Sequence, residues 1–326
     1  MREVKTRKSI KKEDYEDLIY YKFKNSKFKQ QSLPAWRPVP TMCSIIVVYI
    51  TFGIIFISIS IVLLLFSKDV VKLEIPYNDE CKDQEICKIS KRIEKDMTPP
   101  IMVYYRLDGF FQNHRRYVKS KSTKQLYGNP PTLEEILDSK NCYPVVTNED
   151  MRLKDNTSLN GDELNMDDVA VPCGLMAKTF FNDSFINWTI NNEEFIPDET
   201  NIAWPKDKYF FKNSNTSKQW IDIEDEHFIV WMRPSGLPNV IKLWARIDRE
   251  FKKGDTLSFL VINNYNVTHY AGDKKIILST INKLGGKNTF LGFSYFVVGI
   301  ISLVLGIAFP LVYYQTHKND KMKRKK

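Results

Sequence analysis

CSIIVVYITFGIIFISISIVLLLF, Cys43 to Phe66, decides the architecture of this chain, and FLGFSYFVVGIISLVLGIAFPLVYY, Phe290 to Tyr314, is its counterpart near the other end. Neither run holds a charged residue, and they are 24 and 25 residues long. As helices rising ~1.5 Å per residue each covers about 36 Å, enough to cross a ~30 Å hydrocarbon core. The chain is therefore expected to span a membrane twice. The 223 residues between, Ser67 to Thr289, are then one block on a single side.

Charge decides which side. Residues 1 to 42 carry 11 Lys/Arg against 5 Asp/Glu, and residues 315 to 326 carry 6 against 1. The central block holds 31 basic and 33 acidic residues, so the formal +9 of the chain resides in its two ends. Short Lys/Arg-rich flanks stay in the cytosol. Both termini are thus expected to be cytosolic and the block lumenal or extracellular. A nucleic-acid footprint would be a basic stripe on a folded domain rather than the flanks of apolar spans, so nucleic acid is not an expected partner. The first run starts too late and runs too long for a cleaved signal peptide and reads as an uncleaved anchor.

Cysteine usage fits an oxidising compartment. Cys43 opens the first span, whereas Cys81, Cys87, Cys142 and Cys173 all fall in the central block. Four cysteines allow three connectivities. Short-range closure favours Cys81 with Cys87, which leaves Cys142 with Cys173. Zinc is disfavoured, because His114, His227 and His269 are isolated and no second close cysteine pair is present. Five N-glycosylation sequons begin at Asn156, Asn182, Asn187, Asn215 and Asn266, all in the block.

Strand signals dominate the block. Pro100 to Leu107, His227 to Arg233, Val240 to Ile247, Asp255 to Val267 and Lys274 to Ile281 are rich in β-branched and aromatic residues, with Pro or Gly at most boundaries. One β-rich, antiparallel, sandwich-like domain with few short helices is expected. A helix is read at Thr132 to Ser139, with Thr132 as cap and Glu135 at the capping-box position. Asn148 to Asp168 is polar and reads as a surface excursion. No cofactor is implied, since no dinucleotide loop, phosphate loop, zinc helix or nucleophile elbow is present. The aspartyl-phosphate sequence Asp-Lys-Thr-Gly is also missing. The chain does not read as an enzyme. In the second span Gly292, Gly299 and Gly306 recur every seven residues, with Ser302 four before Gly306; Gly53 and Ser60 have the same spacing in the first. Such a face lets another helix approach closely.

Phe28 to Pro38 (FKQQSLPAWRP) and the run Gln112 to Ser120 (QNHRRYVKS) resemble signatures of the cell division control protein 50 family, also called the ligand-effect modulator family. The resemblance continues through Pro172-Cys173-Gly174-Leu175, Phe181 to Phe185, Ile202-Ala203-Trp204, Phe228 to Arg233, Leu237-Pro238, Lys242-Leu243, Asn264-Tyr265, Ile277 to Thr280 and Gly285 to Asn288. It implies a non-catalytic beta subunit of a type IV P-type ATPase, a phospholipid flippase. The expected partner is the catalytic ATPase, as a hetero-dimer, together with membrane lipids, in the endoplasmic reticulum, Golgi or endosome, or plasma membrane. It also implies a Cys142–Cys173 bridge and glycosylation at Asn182. Candidate docking residues are Leu33, Pro34 and Trp36, a stiff aromatic segment beside the first span, and Asn113, His114, Arg115, Arg116 and Tyr117 in the basic run. The alternatives are a two-span ligand-gated channel subunit, which would call for more cysteines and a polar pore face, and a cell-surface receptor. Within the family, a flippase-like ATPase fused to a guanylyl cyclase is a further partner.

Overall fold

The computed structural model describes residues 20–24, 26–35 and 41–323. Two long helices, Met42–Asp69 and Thr289–Lys323, contain the two apolar runs, and both are long and apolar enough to cross a membrane. Between them eight strands form two antiparallel four-stranded sheets. The first is ordered β1 (Lys72–Pro76), β8 (Asp273–Thr280), β3 (Ile101–Asp108), β6 (Val240–Ile247). The second is ordered β2 (Ile86–Arg92), β7 (Thr256–Ile262), β4 (Ser184–Ile190), β5 (Glu193–Glu194).

β3 shows why these residues make a strand. Ile101, Val103, Tyr105 and Leu107 are buried while the four residues between them are half-buried, the period of two that puts alternate side chains on opposite faces. Side chains from both sheets meet in one core. Tyr105 stacks on Phe181 at 4.0 Å, Trp188 on Phe259 at 4.4 Å, and Phe185 of β4 meets Trp244 of β6 edge-on at 5.1 Å. A smaller cluster, Ile136, Cys142, Val145, Met151, Ala170 and Cys173, gathers round the second disulfide.

One expected strand is a helix. His227 to Arg233 lies in the helix Glu226–Met232, capped by Asp225, whose Oδ1 accepts from the His227 N–H at 3.0 Å. Phe228, Ile229, Trp231 and Met232 are buried, a helical spacing that an unbroken apolar run conceals from a reading by period. Tertiary burial and the aspartate cap override the β-propensity of Phe, Ile, Val and Trp. Val240 to Ile247 is a strand with the expected bounds, the run Asp255 to Val267 contains β7, and the runs Pro100 to Leu107 and Lys274 to Ile281 cover β3 and β8 but for Asp108 and Asp273.

The helix Leu133–Ser139 is capped by Thr132, whose Oγ1 accepts from Glu135 N at 3.4 Å, but the Glu135 carboxylate pairs with Lys124 instead of closing the box. The reciprocal box is at Thr147 and Asp150.

The chain divides into two units, residues 1–57 with 296–326, and residues 58–295. Within the first unit a Cβ on Gly53 would fall 2.6 Å from Leu303 Cδ2, and one on Gly299 would fall 2.7 Å from Ile57 Cγ1 and 3.2 Å from the Gly53 carbonyl. Within the second, a Cβ on Gly292 would meet Leu64 at 2.8 Å, and Ser60 donates to the Gly292 carbonyl at 2.9 Å. At these glycines the two long helices come into contact, with side chains of one lying where a Cβ of the other would stand.

Candidate partner interface

The run Gln112 to Lys124 separates into a pinned face and an exposed one. Gln112 is buried and its Oε1 accepts from Ser235 N at 2.9 Å, while Asn113 Nδ2 donates to the Gly236 carbonyl at 2.9 Å. Tyr117 is only 8% exposed, hydrogen-bonds Thr179 Oγ1 at 2.7 Å, and has its phenol pushed up to about 12 by burial. Ser120 accepts from Leu175 N at 2.8 Å and donates to the Cys142 carbonyl at 3.1 Å. Buried Gln125 donates to the Ala170 carbonyl and accepts from Cys173 N, both at 2.9 Å.

Gly174 completes this assembly. Its φ is +103°, and a Cβ there would lie 2.1 Å from the Ser120 carbonyl oxygen. Cys142 is bonded to Cys173 beside it, and Cys81 is bonded to Cys87. Of the named docking residues in this run, Tyr117 faces the core, and Asn113, though exposed, is tied to a neighbouring loop. His114, Arg115 and Arg116 are exposed and form no ion pair among the described residues. Lys124 does, with Glu135 at 3.2 Å, and Lys121 is half-buried with its amine pushed down by desolvation. Leu33 and Pro34 are exposed, and Trp36 lies outside the described residues.

Sequence reasoning missed the most buried charge in the domain. Lys274 is 1% exposed and Asp183 0%, and their side chains meet at 2.7 Å. Asp183 Oδ1 accepts from the backbone N–H groups of Asn264 and Tyr265 at 2.7 and 2.6 Å, and Oδ2 from Tyr77 at 2.8 Å. The Lys274 ammonium also donates to the Tyr265 carbonyl at 2.7 Å and to Asn263 Oδ1. Each charge is thus paired and hydrogen-bonded, the condition under which burial is tolerated. The network ties β8 to the start of β4. The only signal in the sequence is that Asp183 and Asn264-Tyr265 both fall in the motifs quoted above.

Asn182, Asn187, Asn215 and Asn266 are exposed and Asn156 is half-buried. At Asn215 and Asn266 the side-chain oxygen accepts from the hydroxyl two residues on, Ser217 at 2.7 Å and Thr268 at 2.6 Å. Among the described residues no three His, Cys, Asp or Glu side chains gather in a way that would hold a metal.

Residues 63–319 match the model of the LEM3 (ligand-effect modulator 3) family / CDC50 family. The chain belongs to this family. Among similar proteins, ALA-interacting subunit 3 of Arabidopsis thaliana is 34% identical over 321 residues, covering 89% of this chain and 86% of that one. Cell cycle control protein 50A of Mus musculus is 33% identical over 339 residues, 88% of each chain. Cell cycle control protein 50C of Bos taurus is 31% identical over 341 residues, 90% of this chain and 92% of its own. The CDC50 match takes in the last seven residues of the first long helix, the whole β-domain and most of the second helix.

Proposed function

We propose that this chain is the non-catalytic accessory subunit of a phospholipid-translocating type IV P-type ATPase. The observation that carries the reading is membership of the CDC50 family over residues 63–319, supported by relatives covering about nine-tenths of the chain, one of which is called an ALA-interacting subunit. The subunit helps the ATPase fold, leave the endoplasmic reticulum and run its transport cycle. It thereby maintains phospholipid asymmetry. Both termini are cytosolic, and residues 67–289 form a lumenal or extracellular domain with sugar on Asn182. Leu33, Pro34 and Trp36 together with the exposed His114, Arg115 and Arg116 dock on the ATPase, while Asn113 and Tyr117 hold that basic run in place. The apolar spans carry no charge for an ion path, which sets the channel reading aside.

Affinity purification of the tagged chain in mild detergent, followed by mass spectrometry, tests this. A type IV P-type ATPase in near-equal amount is expected, and its sequence tells whether a cyclase domain is attached. Recovery of self-assembled copies alone sinks the proposal.

A further inference from the structure

β6 is the end strand of its sheet. On its outer side the one bridge among the described residues is at Arg246, which exchanges backbone hydrogen bonds with Asp198 at 2.7 and 2.8 Å. The stretch from Val240 to Trp244 has no such partner strand. Proteins normally cover a strand edge of this kind, because its unpaired N–H and C=O groups are a template for another chain.

A groove of about 540 Å³ runs along that stretch, lined by Ile241, Lys242 and Leu243 of β6, by Ile229 and by Trp204. Trp204 is 65% exposed, an unusual placing for so large a ring, and it is held from one side by the Arg233 guanidinium at 5.5 Å, itself paired with Asp207 at 3.1 Å. Lys242 is 7% exposed and donates to the Arg233 carbonyl. Among the described residues no carboxylate pairs with it, and the Arg233 carbonyl is the one acceptor of its three ammonium hydrogens. Burial and the nearby Arg233 push this amine down to about 8. The groove therefore offers strand-edge hydrogen bonding, an apolar wall and a desolvated cation without a counter-charge.

We infer that the β6 edge receives an extended, carboxylate-bearing segment of the ATPase, which adds as a fifth strand and sets its carboxylate on Lys242. The inference rests on the proposed ATPase partnership and names where, and by what chemistry, the β-domain grips it. Main-chain bonding supplies affinity in such strand addition, and side-chain pockets supply selectivity. An incoming carboxylate would complete a charge-assisted hydrogen bond with the buried Lys242 ammonium in a dry site.

The test uses the full chain in its complex, with the photo-crosslinking residue benzoylphenylalanine at Ile241 (44% exposed) and, as a control away from the groove, at Ile196 (94% exposed). Crosslinks from position 241 to one ATPase segment containing Asp or Glu are expected, with none to that segment from 196. Lys242→Gln is expected to cut the adduct about fivefold or more at equal recovery of complex, and Lys242→Arg to retain it. Retention of the Cys142–Cys173 bridge in each variant shows that the domain has folded. If the complex is recovered but the 241 adduct joins only this chain or a second copy, or maps to a segment without a carboxylate, the inference is wrong while the partnership stands. If no ATPase is recovered, both fall.

Discussion

Removing the Asp183 carboxylate tests whether the domain depends on its buried ion pair. Asp183→Ala deletes four hydrogen bonds at once: it strands the Lys274 ammonium and the Tyr77 phenol, both at most 1% exposed, and takes the acceptor from the N–H groups of exposed Asn264 and half-buried Tyr265. Breaking a buried pair from one side costs about 3–5 kcal/mol, and each orphaned buried group adds ~1–3 kcal/mol, so a loss of about 5 kcal/mol or more is expected. For a domain of this size that lowers Tm by about 10–20 °C at ~2–4 °C per kcal/mol. Lys274→Met leaves the carboxylate with three donors, so it is expected to cost less, about 3 kcal/mol. The double variant Asp183→Asn with Lys274→Met removes both charges and keeps a side chain able to accept from Asn264 and Tyr265. Its cost is expected to fall short of the summed costs of Asp183→Asn alone and Lys274→Met alone by about 2 kcal/mol or more. The assay is thermal unfolding of the purified full chain in detergent, followed by tryptophan fluorescence, since five of the six tryptophans lie in residues 67–289. The Asn182-x-Ser184 sequon survives every substitution. A Tm for Asp183→Ala within about 3 °C of the parent, or strict additivity in the double variant, would refute the reasoning.

Four further outcomes are expected. Cys142→Ser with Cys173→Ser, which opens a loop of sequence separation 31, should cost about 3.7 kcal/mol, and opening Cys81–Cys87, with separation 6, about 2.4 kcal/mol, both read as Tm shifts of the full chain. Gly174→Ala should sharply lower the yield of folded protein on size-exclusion chromatography, because the added Cβ has no space at the Ser120 carbonyl and the backbone is left-handed there. Gly299→Leu should push the long helices apart. The readout is slower disulfide formation between cysteines placed at Tyr49 and Phe309, whose rings are 5.7 Å apart, and an unchanged rate would count against the contact. Lys242 has a folded pKa of about 8, below the ~10.4 of a free lysine, so the unfolded chain binds more protons between those values. The stability of the parent relative to Lys242→Met should therefore be flat below pH 8 and rise by up to ~1.4 kcal/mol per pH unit from there towards pH 10. A flat difference across that window would place the amine in water.

Legibility in the sequence followed how local the deciding physics was. The membrane-length helices, the block between them and strands such as Val240–Ile247 could be read because an unbroken apolar run or a dense β-branched segment declares itself within one element. Edge strand β2 was missed because only Cys87 and Ile89 are buried in it, while Ile86, Lys88, Ser90 and Arg92 are exposed, so its apolar content is low. β4 was missed because a bulge between Ile186 and Thr189, with Asn187 at φ 52°, breaks its alternation. In the candidate interface, the basic run was plain in the sequence, but which of its members face outward was not. Asn113 and Tyr117 carry the same polar or aromatic label whether they meet a partner or a neighbouring loop.

By itself, the sequence determined the two apolar helices, the β-rich class of the domain between them and the family, because these depend on composition, length and ordered motifs along the chain. Only the tertiary structure decided that His227 to Met232 coils, that Asp183 and Lys274 meet though 91 residues apart, and that the β6 edge lies open beside Lys242. Those outcomes depend on which groups are removed from water together, and long-range burial leaves no periodic trace in the residues that undergo it.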